Sequence, residues 1–398
     1  MSVENPLVSV IVPIYNTEEY LEECLDSLVN QTLEDIEIIC IEDNSSDDSL
    51  KILREYSKKD DRIILVENDS NQGQSVSRNK GLSAAKGEYV AFLDSDDRID
   101  ENAYEQLYKF AKDNGHDLVV FNAIRFNDEG VEWPCILHSK AGYDKTYSKT
   151  NVFEHKTLIY DTSMSKFIRK EFIDELGFKF LENTLYEDLL FSMQILCASK
   201  CLGILPTVNY YWRVRTSYNY SVTQNVFKLK NLKDRIIITN KILDVFNICD
   251  KNASLLDTFY KKIVEIDILQ YINELDRCEE GYLDVMDKEV RPFTKTLPEE
   301  SFSNLKDMDK LKYDLFLKGD FDLLIKLVGS ERLYKMRIKE LNAKNRSLRK
   351  QVNEQISENN TLQRDNRKFK EEVKLIKTTR GWFAYKTKNI YQRISKKI

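Results

Sequence analysis

The sequence contains no stretch approaching the ~18 consecutive apolar residues of a membrane-spanning helix. It has no basic stretch ahead of its first apolar run, MSVENPLVSVIVPIYN, which predicts the absence of a signal peptide. Glycine is sparse, 12 residues in 398, and neither G-x-G-x-x-G nor G-x-x-x-x-G-K-[ST] occurs. That weighs against a dinucleotide-binding dehydrogenase and against a P-loop enzyme. Histidine is scarcer still: His116, His138 and His155 follow no metal-ligand spacing. The seven cysteines are odd in number and scattered, which predicts reduced thiols in a cytoplasm. Cys197 and Cys201 are four apart in a helical pattern, but with no second pair of ligands nearby they are expected in the core. A net charge of −6 gives nucleic acid no foothold as the main partner.

What is present is an ordinary globular composition, 42% apolar and 32% charged. Strand patterns at 7–15, 36–43, 62–68, 88–94 and 117–124 are rich in Val and Ile with little alternation, as in strands buried on both faces. Helix patterns lie between them, at 17–28 with Thr17 as N-cap and Leu21, Cys24, Leu25 and Leu28 on one face, then at 47–58, 75–86 and 101–114. The expected fold is α/β, an open and mostly parallel sheet flanked by helices. Residues 126–225 are aromatic-rich and irregular, the look of loops and mixed strands that complete a site. The expected divisions are 1–225, a helical region 226–330, a coiled coil 331–376 and a basic aromatic tail 377–398.

The coiled coil rests on two seams. One holds Ile338, Asn345, Val352, Asn359, Asn366 and Val373; the other holds Leu341, Leu348, Gln355, Leu362, Phe369 and Ile376. Branched or Asn residues at one seam and mostly Leu at the other favour a parallel dimer, with the Asn residues fixing register. The tail, KTTRGWFAYKTKNIYQRISKKI, has no acid and mixes Lys and Arg with Trp382, Phe383, Tyr385 and Tyr391. That mixture suits an anionic membrane surface.

In an open α/β sheet, ligands sit beyond the carboxyl ends of the strands. Pro13-Ile14-Tyr15-Asn16, Glu42-Asp43-Asn44-Ser45, Glu67-Asn68 and Asp94-Ser95-Asp96-Asp97 all fall at such ends. So many converging carboxylates repel one another unless a cation offsets them. Mg²⁺ or Mn²⁺ fits, because hard ions take a few carboxylates and complete their shell with phosphate oxygens.

The blocks VSVIVPIYN, IEDNSSDDS, NQGQSVSRNKGLSAAKGEYVAFLDSDD and LYEDLLF, in this order and spacing, resemble the family 2 glycosyltransferases of the GT-A fold over roughly residues 6–224. The resemblance implies inverting transfer of a sugar from a nucleotide-diphosphate donor, usually UDP-linked, to a hydroxyl. It implies that Pro13 and Tyr15 line the uridine pocket, that Asp43 accepts the base N–H, and that Arg78 sits near the nucleotide. Asp94 would contact ribose or the metal shell, Asp96 would ligate Mn²⁺ or Mg²⁺, and Asp97 would support that shell or touch the donor sugar. Asp188 would be the base that activates the acceptor hydroxyl, with Glu187 as runner-up. Arg213 or Arg215, in YYWRVRTSYNYSVT, could meet the diphosphate. Two departures matter. Asn44 stands where relatives often have Gly, and can supply the same left-handed turn. The multispan region and QxxRW segment of processive synthases are missing, which favours single addition to a cell-surface polysaccharide or lipid-linked glycan precursor. The expected location is the cytoplasm, with the tail on the inner membrane face. The alternatives are a non-catalytic transferase-like scaffold organised by the coiled coil and, less favoured, a nucleotidyltransferase.

Overall fold

The computed structural model describes residues 6–135, 145–160, 164–215, 225–249 and 254–394. His138 and the Ser-x-Thr end of YYWRVRTSYNYSVT lie outside the described residues, as do positions 395–398 of the tail.

The Val/Ile runs form the strands they predict. β1 (Val8–Ile14), β2 (Ile36–Glu42), β3 (Ile63–Glu67) and β4 (Tyr89–Phe92) are parallel neighbours in the order β3-β2-β1-β4. Every residue of β1, β2 and β4 is buried, as the lack of alternation requires, whereas β3 at the edge is mostly half-buried. Helices α1 (Glu18–Val29), α2 (Ser49–Ser57), α3 (Gln74–Ala84) and α4 (Ala103–Asn114) fill the crossovers. The buried face of α1 is Leu21, Cys24, Leu25 and Leu28, as its spacing predicts. Thr17 stands at the N-cap position but makes no cap hydrogen bond; its hydroxyl donates to Ser95 Oγ at 3.1 Å instead.

Beyond β4 the sheet is mixed, where a mostly parallel one was expected. β5 (Arg98–Ile99) is a two-residue edge strand, and β6 (Leu118–Phe126) is the fifth strand read from the sequence. β7 (Glu132–Pro134) and β8 (Tyr147–Thr150) are short antiparallel additions. β9 (Lys166–Arg169) runs antiparallel between β4 and β6, and β10 (Leu202–Arg213) lies parallel to β6. The reversed strand β9 leads into α5 (Lys170–Leu176), and α6 (Glu187–Ala198) precedes β10. Gly81 lets α3 sit tight on β1: a Cβ there would lie 2.4 Å from Cγ2 of Ile11, which is fully buried.

The helical stretch that follows includes α7 (Leu229–Cys249) and α8 (Ser254–Lys262), the latter passing through a π-helical turn, Ile263–Ile268, into Leu269–Ile272. It belongs with the sheet to one compact unit, Met1–Lys326; the second unit is Leu327–Ile398. α9 (Phe321–Lys377) runs for 57 residues and α10 (Thr379–Ile394) follows it. Where a coiled coil was expected over 331–376 the chain is one continuous helix, with Leu341, Leu348, Val352, Leu362 and Phe369 exposed along it. Among the described residues no helix is long and apolar enough to cross a membrane. His116 is a core residue, its Nε2 2.6 Å from the Ser148 carbonyl. Cys197, near the end of α6, and Cys201, in the loop before β10, are only half-buried where core positions were expected.

Candidate active site

The loops after β1 and β2 are built against each other. Each turns on an Asn in the left-handed region, Asn16 at φ +50° and Asn44 at φ +60°, the conformation short amides tolerate best after glycine. Ser46 N–H donates to Asn16 Oδ1 at 2.8 Å, and Asn16 N–H donates to Ser45 Oγ at 3.1 Å. Glu42 closes its own loop by accepting from the N–H groups of Asn44 and Ser45.

Asp43 is only 3% exposed. Its Oδ1 accepts from Asn68 Nδ2 and Gln72 N–H, and its Oδ2 from Gly73 N–H, at 2.7 to 2.9 Å. Asp43 thus holds the loop that opens α3, and a base N–H could reach it only by sharing Oδ2. Pro13 is buried within β1 opposite Ile41, so its ring is packed into the sheet rather than open at a cleft. Tyr15, in contrast, is 46% exposed just past the strand end.

Arg78 is the centre of the site. It is buried on α3, with Nη2 2.8 Å from Asp94 Oδ1 and Nη1 2.8 Å from Glu187 Oε1. Gln74, one turn earlier on the same face, adds a hydrogen bond to Asp94 Oδ1 at 3.0 Å. Burial alone would lower the Arg78 pKa, but the charges of Asp94, Glu187 and Asp188 outweigh it and hold the guanidinium above its ordinary value. One buried cation therefore ties the β4 loop to the start of α6, two segments that are far apart in sequence.

The two following carboxylates part ways. Asp97 is buried; Tyr210 donates its hydroxyl to Oδ2 and Arg213 N–H donates to Oδ1 at 2.7 Å. With both oxygens taken, Asp97 ties the loop after β4 to β10. Burial, with Asp96 and Asp94 beside it, pushes its carboxyl well above the usual range. Asp96 reaches the surface and pairs with Arg215, whose Nε and Nη2 both lie 2.8 Å from Oδ2. Burial pushes Asp96 up as well, against the pull of Arg215. Arg213 is occupied elsewhere: Nε donates to the Asp96 carbonyl, Nη1 and Nη2 meet Asp128 and Glu23, and the guanidinium lies over Tyr20 and Phe126. Of the two arginines left open by the sequence, Arg215 is the one whose charge faces the acidic loop.

At the start of α6, Glu187 is buried against Arg78, and burial pushes its carboxyl up to about 7 despite that neighbour, with Asp188 adding to the rise. Asp188, next in sequence, is partly exposed and makes no hydrogen bond or ion pair within the described residues. The turn before them is held in an unusual shape, with Tyr186 at φ +67°. A non-glycine residue there costs roughly 1–3 kcal/mol, which the surrounding structure must offset.

Among the described residues no three or more His, Cys, Asp or Glu side chains are arranged to hold a metal. The donor set nevertheless suits a hard divalent cation. Asp96 offers carboxylate oxygens, its neighbours Asp94 and Asp97 crowd it, and a guanidinium already answers that charge. Sequence reading missed Gln74, Tyr210 and Tyr186. Gln74 was within reach, since it stands four residues before Arg78 and directly ahead of the helix expected at 75–86. The other two depend on contacts that no local pattern encodes.

A profile of the glycosyl transferase family 2 matches residues 9–177. The cholesterol galactosyltransferase of Borreliella burgdorferi is 33% identical over 256 residues, covering 61% of this chain and 70% of that one. The chain belongs to glycosyl transferase family 2. The poly(ribitol-phosphate) beta-glucosyltransferase of Bacillus spizizenii is 33% identical over 212 residues. That match covers 52% of this chain and only 32% of the relative, so the family 2 chain spans about a third of its length. The fold also matches the 1–349 fragment of S. aureus TarS in complex with UDP, at a TM-score of 0.63 and 22% identity, covering 82% of this chain and 91% of that one.

Proposed function

We propose that the chain moves a sugar from a UDP-linked donor, with inversion, onto a hydroxyl of a cell-surface polymer or a lipid-linked glycan precursor. The observation that carries this reading is the contrast between two adjacent carboxylates near Arg78: Glu187 ion-paired to it, Asp188 with no side-chain hydrogen bond or ion pair among the described residues. Asp188 takes the proton of the acceptor hydroxyl as its oxygen bonds to the anomeric carbon. The bond from that carbon to the diphosphate oxygen breaks on the opposite face, and its electron pair leaves with UDP. No covalent sugar–enzyme intermediate is needed.

Asp96, with Asp94 beside it, would hold Mn²⁺ or Mg²⁺, which when bound offsets charge on the leaving diphosphate. Arg215 competes for Asp96, and a diphosphate would draw its guanidinium fork away. Tyr15 offers an exposed ring to the base, and Arg78 holds Asp94 where ribose or the diphosphate would lie. The polymer class of the acceptor follows from the relatives, one of them acting on poly(ribitol-phosphate) by its name.

The test is UDP release from a panel of UDP-sugars with Mn²⁺. Asp188→Asn should lose roughly 10²–10⁴-fold in turnover with donor affinity kept. Asp96→Asn should lose the response to Mn²⁺. Unchanged turnover in both variants would sink the assignment, and release of pyrophosphate in place of UDP would make the chain a nucleotidyltransferase.

The same reading places two copies side by side along the exposed Leu and Val seam of α9, with the basic aromatic end of α10 at an anionic membrane face. Sedimentation equilibrium of the full chain should return a dimer, and vesicles containing phosphatidylserine should co-sediment it. A monomer, or equal behaviour with neutral vesicles, would remove the respective part.

A further inference from the structure

Tyr186 is the hinge of the turn that delivers Glu187 and Asp188, and a bulky residue holds φ +67° only where its surroundings oblige it. Those surroundings come from one face of α7. Asp234 Oδ2 accepts from Leu185 N–H at 2.9 Å, Asn231 Nδ2 donates to the Tyr186 hydroxyl at 3.1 Å, and the Arg235 guanidinium lies 3.8 Å from the centre of the Tyr186 ring. Positions 231, 234 and 235 stand at i, i+3 and i+4, neighbours on a helix surface. Tyr271 adds its hydroxyl 3.3 Å from that of Tyr186.

Arg235 is itself steadied from behind. Asp267 lies 3.7 Å from its Nη1 and 3.0 Å from Lys262 Nζ. Lys262 and Asp267 are five residues apart, a spacing that an α-helix turns away from one face and the π-helical turn Ile263–Ile268 restores. Two cations thus share one carboxylate behind the acidic start of α6. Burial lowers the Lys262 pKa, while Asp267 and, to a lesser extent, Asp188 hold it up, so the cluster lies within electrostatic reach of Asp188.

We propose that Asn231, Asp234 and Arg235 are positioning residues for transfer: they lock the Leu185–Tyr186 turn and so fix the direction in which α6 presents Asp188. The inference rests on the reading of Asp188 as base. It gives the helical stretch after the sheet a part in the chemistry, and it separates positioning from packing, since the clamp grips a strained turn beside the base and not a face of the core.

The experiment measures UDP release from UDP-GlcNAc and UDP-glucose, with UDP affinity by calorimetry, for the wild type, Arg235→Met, Arg235→Lys and Tyr186→Phe. Arg235→Met keeps much of the apolar stem and should lose roughly 10- to 100-fold in kcat, the effect of a misplaced base, with donor KM and UDP affinity within about twofold. Arg235→Lys keeps a cation over the ring and should recover part of the loss. Tyr186→Phe, which keeps the ring and loses only the hydroxyl, should fall in the same direction by less, and it stands in should Arg235→Met not fold. Turnover equal to wild type in the folded variants overturns the positioning role while leaving the transferase reading intact. So does a loss in which kcat and UDP affinity fall together with the melting temperature. A wild type that releases UDP from neither donor overturns the transferase reading, and this inference with it.

Discussion

After β4, Asp97 is buried with both oxygens bound while Asp96 beside it reaches the surface against Arg215. At the start of α6, Glu187 is buried against Arg78 while Asp188 beside it is partly exposed and unbound. Each acidic pair is split by burial into a member fixed by its partners and a more exposed member, the one to which the proposed reading gives the chemistry. The difference lies in what faces the available member. Asp96 meets the Arg215 guanidinium, which on the proposed reading gives way to a cation. The Asp188 side chain makes no hydrogen bond or ion pair among the described residues and feels Arg78 and Lys262 only at longer range, which on that reading leaves it to take a proton. Arg78 joins the two halves, and the comparison can be broken there first.

Arg78→Met should have the largest effect. Removing the shared cation leaves Glu187 buried and unpaired and leaves half-buried Asp94 with only Gln74, a change that costs up to about 3–5 kcal/mol in buried ion pairs. Urea unfolding should show that loss, and UDP affinity should fall with it because the β4 loop and α6 lose their common anchor. A loss below 1 kcal/mol would mean that the two acidic segments are placed independently of each other.

Next in size is the pH dependence of Glu187. Its folded value is raised from 4.5 to about 7, so the folded protein binds that proton more tightly than the unfolded chain does. The resulting stability is fully present below about 4.5 and is lost as pH rises through about 7, a change on the order of 1–3 kcal/mol. Asp96 and Asp97 are raised as well and add slope of the same sign. Glu187→Gln should remove only the share belonging to Glu187, leaving a flatter profile between pH 4.5 and 7. Parallel profiles for the two proteins would show that Arg78 keeps Glu187 ionised throughout, which would make the tie between them a plain ion pair.

These variants also mark how far the sequence could be read. The five main strands and the four crossover helices were legible because each carries its own local signal, an unbroken Val/Ile run or an apolar face at helical spacing. The carboxylates at the strand ends were legible as a group for the same reason. How they divide was not. Asp97 is fixed by Tyr210, 113 residues away, and Glu187 by Arg78, 109 residues away, so no window of sequence contains either contact. β9 was missed because its four residues, KFIR, are too few to show a period and sit among irregular segments. Pro13, given a place at the uridine pocket by the resemblance, is buried inside β1, as its position in an apolar run implies. Asn44, an Asn where relatives often have Gly, does adopt the left-handed turn that its place in the motif implied.

The smallest expected effect on stability is the one that sharpens the comparison most. Asp188→Asn changes a partly exposed carboxylate with no hydrogen bond, so no buried group is orphaned. An acid in the first turn of a helix is worth about 0.3–1 kcal/mol against the dipole. Neutralising it also relieves the repulsion that helps to raise Glu187, and this works in the other direction. The two terms oppose each other, and the net change in unfolding free energy should stay within about 0.5 kcal/mol, the range of a surface substitution. Turnover should fall by orders of magnitude in the same protein. Arg78→Met and Asp188→Asn then form a contrasting pair, one losing stability and activity together and the other losing activity alone. If Asp188→Asn instead melts as early as Arg78→Met, Asp188 belongs with the carboxylates that hold the backbone, and the base must be sought elsewhere.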